Sequence, residues 1–338
     1  MKKVLALILA LAMVLCCFAS CGGKTTPDAD GTKTDADATA SDVTPAGAEL
    51  RFVTGGESGT YYAFGNVIAQ HATNNAGVKI TAIAGNGSKA NCEDLEDNNA
   101  DLAFCQSDVM AYAYAGTNLF EGAPITSFST VAALYTEQVQ IVTTDPEIKT
   151  VADLAGKNVS IGAAGSGVYI NAIDILGVYG LTEQDITPTY QSFADSADAI
   201  KDGLIDAAFI VAGAPTTAIV DLATTKDISL VSLDEEHINK LIETSPYYAK
   251  CTITADTYGL AEDCLTVGVG AVILANNTVS EDAVYALCAD IFDNAADLVP
   301  SHAKYAELSL EYATSITSVP YHAGAAKYFA EKGITVAQ

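Results

Sequence analysis

From Leu50 to His71 the chain reads as a strand, a glycine-rich turn and a helix. Leu50-Arg51-Phe52-Val53 is short and apolar-rich, and Phe64, Val67, Ile68 and His71 then recur at i, i+3, i+4 and i+7, one face of a helix. Between them stands Thr54-Gly55-Gly56-Glu57-Ser58-Gly59-Thr60-Tyr61-Tyr62, whose glycines let the backbone turn sharply and approach a ligand closely. Ser58 or Thr60 is placed to cap the helix. The first N–H groups of that helix have no partner inside it and suit an anionic or strongly polar group. One such turn is an ordinary connection; repetition makes it a constraint. Asn86-Gly87-Ser88-Lys89-Ala90-Asn91 follows a second strand, Gln106-Ser107-Asp108 a third, and Gly165-Ser166-Gly167 a later one. Regular strand–helix alternation dictates an α/β fold with mostly parallel sheets and crossover helices. Ligand loops of such folds gather at the carboxyl ends of the strands, where all four turns fall.

Further strands are expected at 78–83, 101–105, 128–134, 138–143, 158–162, 206–211, 228–233 and 266–275. Ser88 and Ser107 are expected as helix caps and Gly116 as a helix stop. Thr150-Val151-Ala152-Asp153 is close to a capping box and opens a one-turn helix, and Ser280 caps the start of a mostly helical C-terminal region. The units fall into two groups joined near 135–140 and 262–268. They predict two lobes with a ligand cleft between them, residues 49–137 with 265–338, and residues 138–264. A single large doubly wound domain is the alternative that 338 residues permit.

Met1-Lys2-Lys3 and the apolar run Val4 to Ala19 read as an export signal over residues 1–20. Ala19-Ser20-Cys21-Gly22, preceded by Phe18, resembles a bacterial lipobox with Cys21 as the lipidated N-terminus of an extracytoplasmic, membrane-anchored protein. Residues 21–48 carry almost no large apolar side chains, so they form a solvated tether. A formal charge of −26 excludes nucleic acid and docking on anionic lipid through basic patches as partners, but not a small ligand in a cleft. Scattered histidines and cysteines without zinc spacing predict no metal, and no cofactor is expected. In an oxidising compartment, Cys251 and Cys264, thirteen positions apart around a polar segment with Gly259, either form a disulfide or remain two buried thiols.

Taken in order, Gly55 to Tyr62, Gly87-Ser88-Lys89-Ala90-Asn91, Gln106-Ser107-Asp108 and Leu134-Tyr135-Thr136-Glu137 resemble the successive motifs of the TAXI family. These are the substrate-binding proteins of tripartite ATP-independent periplasmic (TRAP) transporters. Asp153-Leu154-Ala155-Gly156-Lys157, Gly165-Ser166-Gly167, Gly203-Leu204-Ile205-Asp206-Ala207 and Gly213-Ala214-Pro215 continue the resemblance, which covers the chain from Leu50 to the C-terminal helices. Thr136 stands where the family often has proline, and Cys251 to Ala255 replaces an isoleucine–proline turn. The resemblance implies a two-lobed periplasmic-binding-protein fold of type II kind and a monomer. It implies a small organic solute, glutamate, glutamine or a short dicarboxylate, delivered to a TRAP permease for ion-gradient-driven uptake.

On this reading the ligand-binding candidates of the first turn are Gly56, Ser58, Gly59, Thr60 and Tyr61. Those of the next two are Gly87, Ser88, Lys89, Asn91, Gln106 and Ser107, and Tyr135 joins them as a wall. Gly165, Ser166, Gly167, Gly213 and Pro215 complete the set. Arg51, the one arginine of the chain, lies early in the first strand and is read as structural. A carboxylate would then be held by helix starts and hydroxyls rather than by a guanidinium fork. Rival classes are a receptor of the same fold serving ABC-type uptake or chemosensing, and an enzyme. Porphobilinogen deaminase shares this kind of fold but relies on several arginines, and the first turn matches neither a nucleophile elbow nor a P-loop. No catalytic residue is assigned.

Overall fold

The computed structural model describes Gly47 and residues 49–338. The expected export signal, lipidated Cys21 and tether lie outside the described residues, Gly47 excepted. The strands are β1 Leu50–Val53, β2 Ile80–Ile83, β3 Leu102–Gln106, β4 Phe128–Thr143, β5 Asn158–Ser160, β6 Thr187–Thr189, β7 Ala207–Ala212, β8 Ser229–Leu230, β9 Ala249–Ile253 and β10 Cys264–Asn276. The α-helices are α1 Thr60–His71, α2 Ser88–Glu96, α3 Ser107–Ala115, α4 Val168–Val178, α5 Phe193–Lys201, α6 Thr217–Ala223, α7 Glu235–Thr244, α8 Glu281–Asp293, α9 Ala295–Leu298, α10 Leu310–Ala313 and α11 Ala323–Glu331.

The strands form one continuous ladder in the order β2-β1-β3-β10-β4-β7-β5-β6, with β8 added to β4 and β9 to β10. Both flanks are parallel, β1 with β2 and β3, and β5 with β6 and β7. The centre is antiparallel, because β10 returns from late in the chain and inserts between β3 and β4. The expected parallel sheets therefore describe the flanks, and the sheet as a whole is mixed.

One correction concerns β4. Two strands expected on either side of Tyr135-Thr136-Glu137 are a single strand of 16 residues. Its polar middle reads as a break in sequence, yet nearly every β4 residue is buried, and irregular pairing with β10 absorbs the change. At Gln138 the strand begins to pair with β7, and β10 exchanges β9 for β3 between Gly268 and Ala271. Each end of the sheet buries its own apolar layers. Phe52, Phe64, Leu134, Ile273 and Phe329 form one layer and Leu95, Phe128 and Leu274 a second. At the other end Ile141, Leu176, Phe209 and Val267 form a third, and Val142, Ile210 and Leu222 a fourth. Two helix-covered ends sharing two long strands make a two-lobed α/β fold.

Local signals behave as their chemistry dictates. Gly116 ends α3 at φ 65°, Ser280 accepts from the Ala283 N–H at the start of α8, and Thr150 and Asp153 form a capping box on the 3-10 turn Val151–Leu154. The caps expected at the glycine turns are corrected. Gly59, Gly87 and Gln106 are the N-caps of α1, α2 and α3, and none has a side-chain cap bond. The hydroxyls have longer-range partners instead. Thr60 Oγ1 donates to the Gly213 carbonyl at 2.7 Å, Ser88 Oγ accepts from the Gln106 N–H at 3.1 Å, and Ser107 Oγ accepts from the Gly270 N–H at 2.9 Å.

The disulfide alternative for Cys251 and Cys264 is also corrected: both are free thiols. Cys251 pairs across the β9–β10 ladder with Thr266, and Cys264 with Ile253. That makes the two cysteines diagonal neighbours, roughly 7–8 Å apart and beyond the usual reach of a disulfide. The cysteines that tertiary contact does bring together are Cys92 of α2 and Cys105 of β3, both buried, with sulfurs 3.5 Å apart.

Candidate functional site

The glycine turns converge on one cavity of about 170 Å³ between the two lobes. One wall is Gly55, Gly56, Ser58, Gly59, Thr60 and Tyr61 from the β1–α1 turn, with Gly85, Asn86, Gly87 and Ser88 from the β2–α2 turn. Ala163, Ser166, Gly167 and Val168 before and at the start of α4 form the facing wall, with Gln191, Ser192 and Phe193 at the start of α5. Gln106 at the end of β3, Glu137 in mid-β4, and Val211 and Ala212 at the end of β7 complete it.

Direct bonds join the lobes around this cavity. The Ala90 N–H donates to the Gly165 carbonyl at 3.0 Å and the Ala218 N–H to the Ser58 carbonyl at 3.2 Å. A buried chain runs alongside: Gln106 Nε2 donates to Asn171 Oδ1 at 2.7 Å, and Asn171 Nδ2 donates to Asp108 Oδ2 at 2.9 Å and to the Tyr248 hydroxyl at 2.8 Å. The lobes are therefore in contact, with the cavity between them.

Of the candidates read from sequence, Gly56, Ser58, Gly59, Thr60, Tyr61, Gly87, Ser88, Gln106, Ser166 and Gly167 line the cavity. The others do not. Lys89 pairs with Glu93 and lies 5.6 Å from the centre of the Phe120 ring. Asn91 is buried and donates to the Thr54 and Phe104 carbonyls, tying α2 to the ends of β1 and β3. Ser107 faces Gly270, and Tyr135 packs against Phe64. Gly165 supplies its carbonyl to Ala90, Gly213 supplies its carbonyl to Thr60, and Pro215 is outside the lining. Arg51 is ion-paired with Asp101 at 2.9 Å, away from the cavity lining.

Sequence reasoning missed Glu137 and the Gln191-Ser192-Phe193 wall. Ser192 accepts from the Asp195 N–H at 3.1 Å, and this Ser-x-x-Asp cap was a usable signal for another helix start. Glu137 stood inside a quoted motif, but only the sheet decides which face of β4 meets the cavity.

Among the described residues no lysine or arginine lines the cavity, and its single acidic side chain is Glu137. Glu137 is 2% exposed, and its Oε2 accepts from the Tyr61 hydroxyl at 2.5 Å. Burial pushes its carboxyl well above the usual carboxylate range, against the Tyr61 bond, which lowers it. Burial likewise raises Asp108 to about 6, with the bond from Asn171 opposing. A carboxyl whose folded pKa is raised adds stability that is complete below its unfolded value and lost as pH rises through the folded value. For Asp108 the window runs from about 4 to about 6, and its expected contribution is about 2 kcal/mol between pH 4 and pH 7. Asp108→Asn keeps an acceptor for Asn171 and should flatten this slope. Unfolding at pH 4 and pH 7 checks it, and an unchanged slope counts against the assignment.

Among solved structures, the chain is similar to a protein of Bordetella bronchiseptica RB50, with 16% identity over 84% of this chain and 89% of that one and a TM-score of 0.50. It is also similar to the alkanesulfonate-binding protein SsuA of Xanthomonas axonopodis pv. citri, at 18% identity over 85% and 91% of the two chains, with a TM-score of 0.47. The aliphatic sulphonate binding protein SsuA of Escherichia coli is 18% identical over 86% and 91%, with a TM-score of 0.45. The likeness to the Bordetella protein is one of fold. Residues 52–333 match a family model spanning both lobes and every turn of the cavity, and the chain belongs to the NMT1-like family, which is of the periplasmic solute-binding type.

Proposed function

We propose that this protein is an extracytoplasmic solute receptor that closes two lobes on a small polar molecule and passes it to a membrane permease without chemical change. The observation that carries this reading is the convergence of helix starts from both lobes on one cavity, with α1, α2 and α4 lacking any side-chain cap. Uncapped helix starts offer N–H groups and a positive dipole end to an anion. The cavity suits a solute of glutamate size, and the TAXI-like motifs favour a glutamate- or glutamine-like amino acid or a short dicarboxylate delivered to a TRAP permease. Cys21 would anchor the receptor to the membrane. The lobe boundaries are assigned to the partner changes of the long strands, at Gln138 in β4 and between Gly268 and Ala271 in β10.

The test is calorimetry on protein freed of endogenous solute, with glutamate, glutamine and short dicarboxylates as probes. Ser88→Ala and Ser166→Ala should each weaken binding of the strongest probe by roughly ten- to a hundredfold, the cost of about 1.5–3 kcal/mol for a lost bond to a charged group. Arg51→Ala should leave affinity unchanged, since its partner Asp101 is away from the cavity lining. Loss of binding in a folded Arg51→Ala protein, with both serine variants normal, would sink the helix-start account.

A further inference from the structure

The cavity has two chemically distinct sides. Helix starts and the hydroxyl-bearing Ser58, Thr60, Ser88, Ser166 and Ser192 lie on the walls, and one carboxyl, that of Glu137, stands in the middle of β4. Glu137 Oε2 takes the Tyr61 hydroxyl, whereas Oε1 has no hydrogen bond among the described residues. The groups that influence this carboxyl come from several elements. Tyr61 belongs to α1, Asp108 to α3 and Tyr135 to β4 itself, while Tyr312 lies in α10 and Lys304 in the 3-10 turn Ala303–Glu307. Lys304 is the nearby cation, but its Nζ is held by the Ala214 carbonyl at 3.0 Å and by Glu307, and it lies 5.2 Å from the centre of the Tyr135 ring. The carboxyl is thus buried at a ligand cavity with one oxygen open and no ion pair of its own. Burying a charge without a partner is costly, so an arriving cation is favoured and an arriving carboxylate is opposed.

On the reading of this cavity as a solute site, we infer that Glu137 receives the ammonium group of an amino acid, whose carboxylate lies against the helix starts, and that dicarboxylates are rejected. Burial pushes the Glu137 carboxyl up from the usual carboxylate range, and an ammonium beside it supplies the partner that the ionised form lacks. A dicarboxylate would bring a second carboxyl to the same place and supply no such partner.

Calorimetry at pH 7 separates these cases. The probes are L-glutamate and L-glutamine, with glutarate and glutaramate as their counterparts lacking the ammonium. The wild type should bind each amine at least about a hundredfold more tightly than its counterpart. Glu137→Gln can still accept from Tyr61, and it should narrow that ratio at least tenfold. If glutarate and glutaramate match the amines in the wild type, the ammonium assignment fails while the receptor reading stands. A ratio unchanged in Glu137→Gln has the same consequence. If none of the four probes binds solute-free wild-type protein, both the assignment and the glutamate-like receptor reading fail.

Discussion

Gly167→Ala is expected to weaken solute binding about a hundredfold while leaving the solute-free protein close to its normal stability. Gly167 is the N-cap of α4 and lines the cavity. A methyl group there would lie 1.6 Å from Gln106 Oε1, 2.7 Å from its Cδ and 2.8 Å from Val109 Cγ2. Gln106 and Val109 belong to the other lobe, so the added carbon acts as a wedge at the point of closure. Swinging the Gln106 side chain aside would not be free, because its amide donates to Asn171 and its Oε1 accepts from the Ser88 hydroxyl at 3.3 Å. Overpacking typically costs about 1–3 kcal/mol, and a buried donor left without its acceptor about as much again. The cost falls on the closed arrangement and is escaped by opening, so it appears as lost affinity, where each 1.4 kcal/mol is about tenfold. Calorimetry with the strongest probe and a thermal melt of the empty protein check the two halves of the expectation. Affinity within threefold of wild type would show that closure tolerates the wedge.

Gly324→Ala should strike stability instead. Gly324 sits in the first turn of α11, where a Cβ would meet the Glu281 carbonyl oxygen at 2.2 Å and the Tyr285 nitrogen at 2.7 Å. These are backbone atoms of α8, so no side-chain rotation can relieve the clash. The two helices would have to separate along a contact that buries Val284, Leu287 and Cys288 with Ala325 and Phe329. A loss of about 3 kcal/mol is expected, at the upper end of overpacking effects. At roughly 2–4 °C per kcal/mol for a domain of this size, the melting temperature should fall by about 10 °C. Solute affinity of the folded protein should be retained, because α8 and α11 do not line the cavity. Equal denaturation midpoints for variant and wild type would count against the packing account.

What the sequence determined by itself was local. The apolar period from Phe64 to His71 predicted α1, Gly116 predicted the end of α3, and Ser280 the start of α8, because each depends on residues within a turn or two of itself. The glycine–serine turns were recognisable for the same reason, and Gly56, Ser58, Gly59, Thr60, Gly87, Ser88, Ser166 and Gly167 all line the cavity.

Tertiary structure decided everything that depends on a partner distant in the chain. Insertion of β10 between β3 and β4 made the sheet mixed and carried β4 unbroken through Tyr135-Thr136-Glu137. The same pairing set Cys251 and Cys264 on a diagonal, while the packing of α2 on β3 brought Cys92 to Cys105. Ser88 and Ser107 have the side chains of helix caps, yet each accepts a backbone N–H from another segment, Gln106 in one case and Gly270 in the other. Neighbours in sequence settle propensity; burial and hydrogen-bond competition across the sheet settle which partner a polar group finally takes. Glu137 came to the cavity by that second route: the sheet that buries β4 also turns this carboxyl toward the space between the lobes.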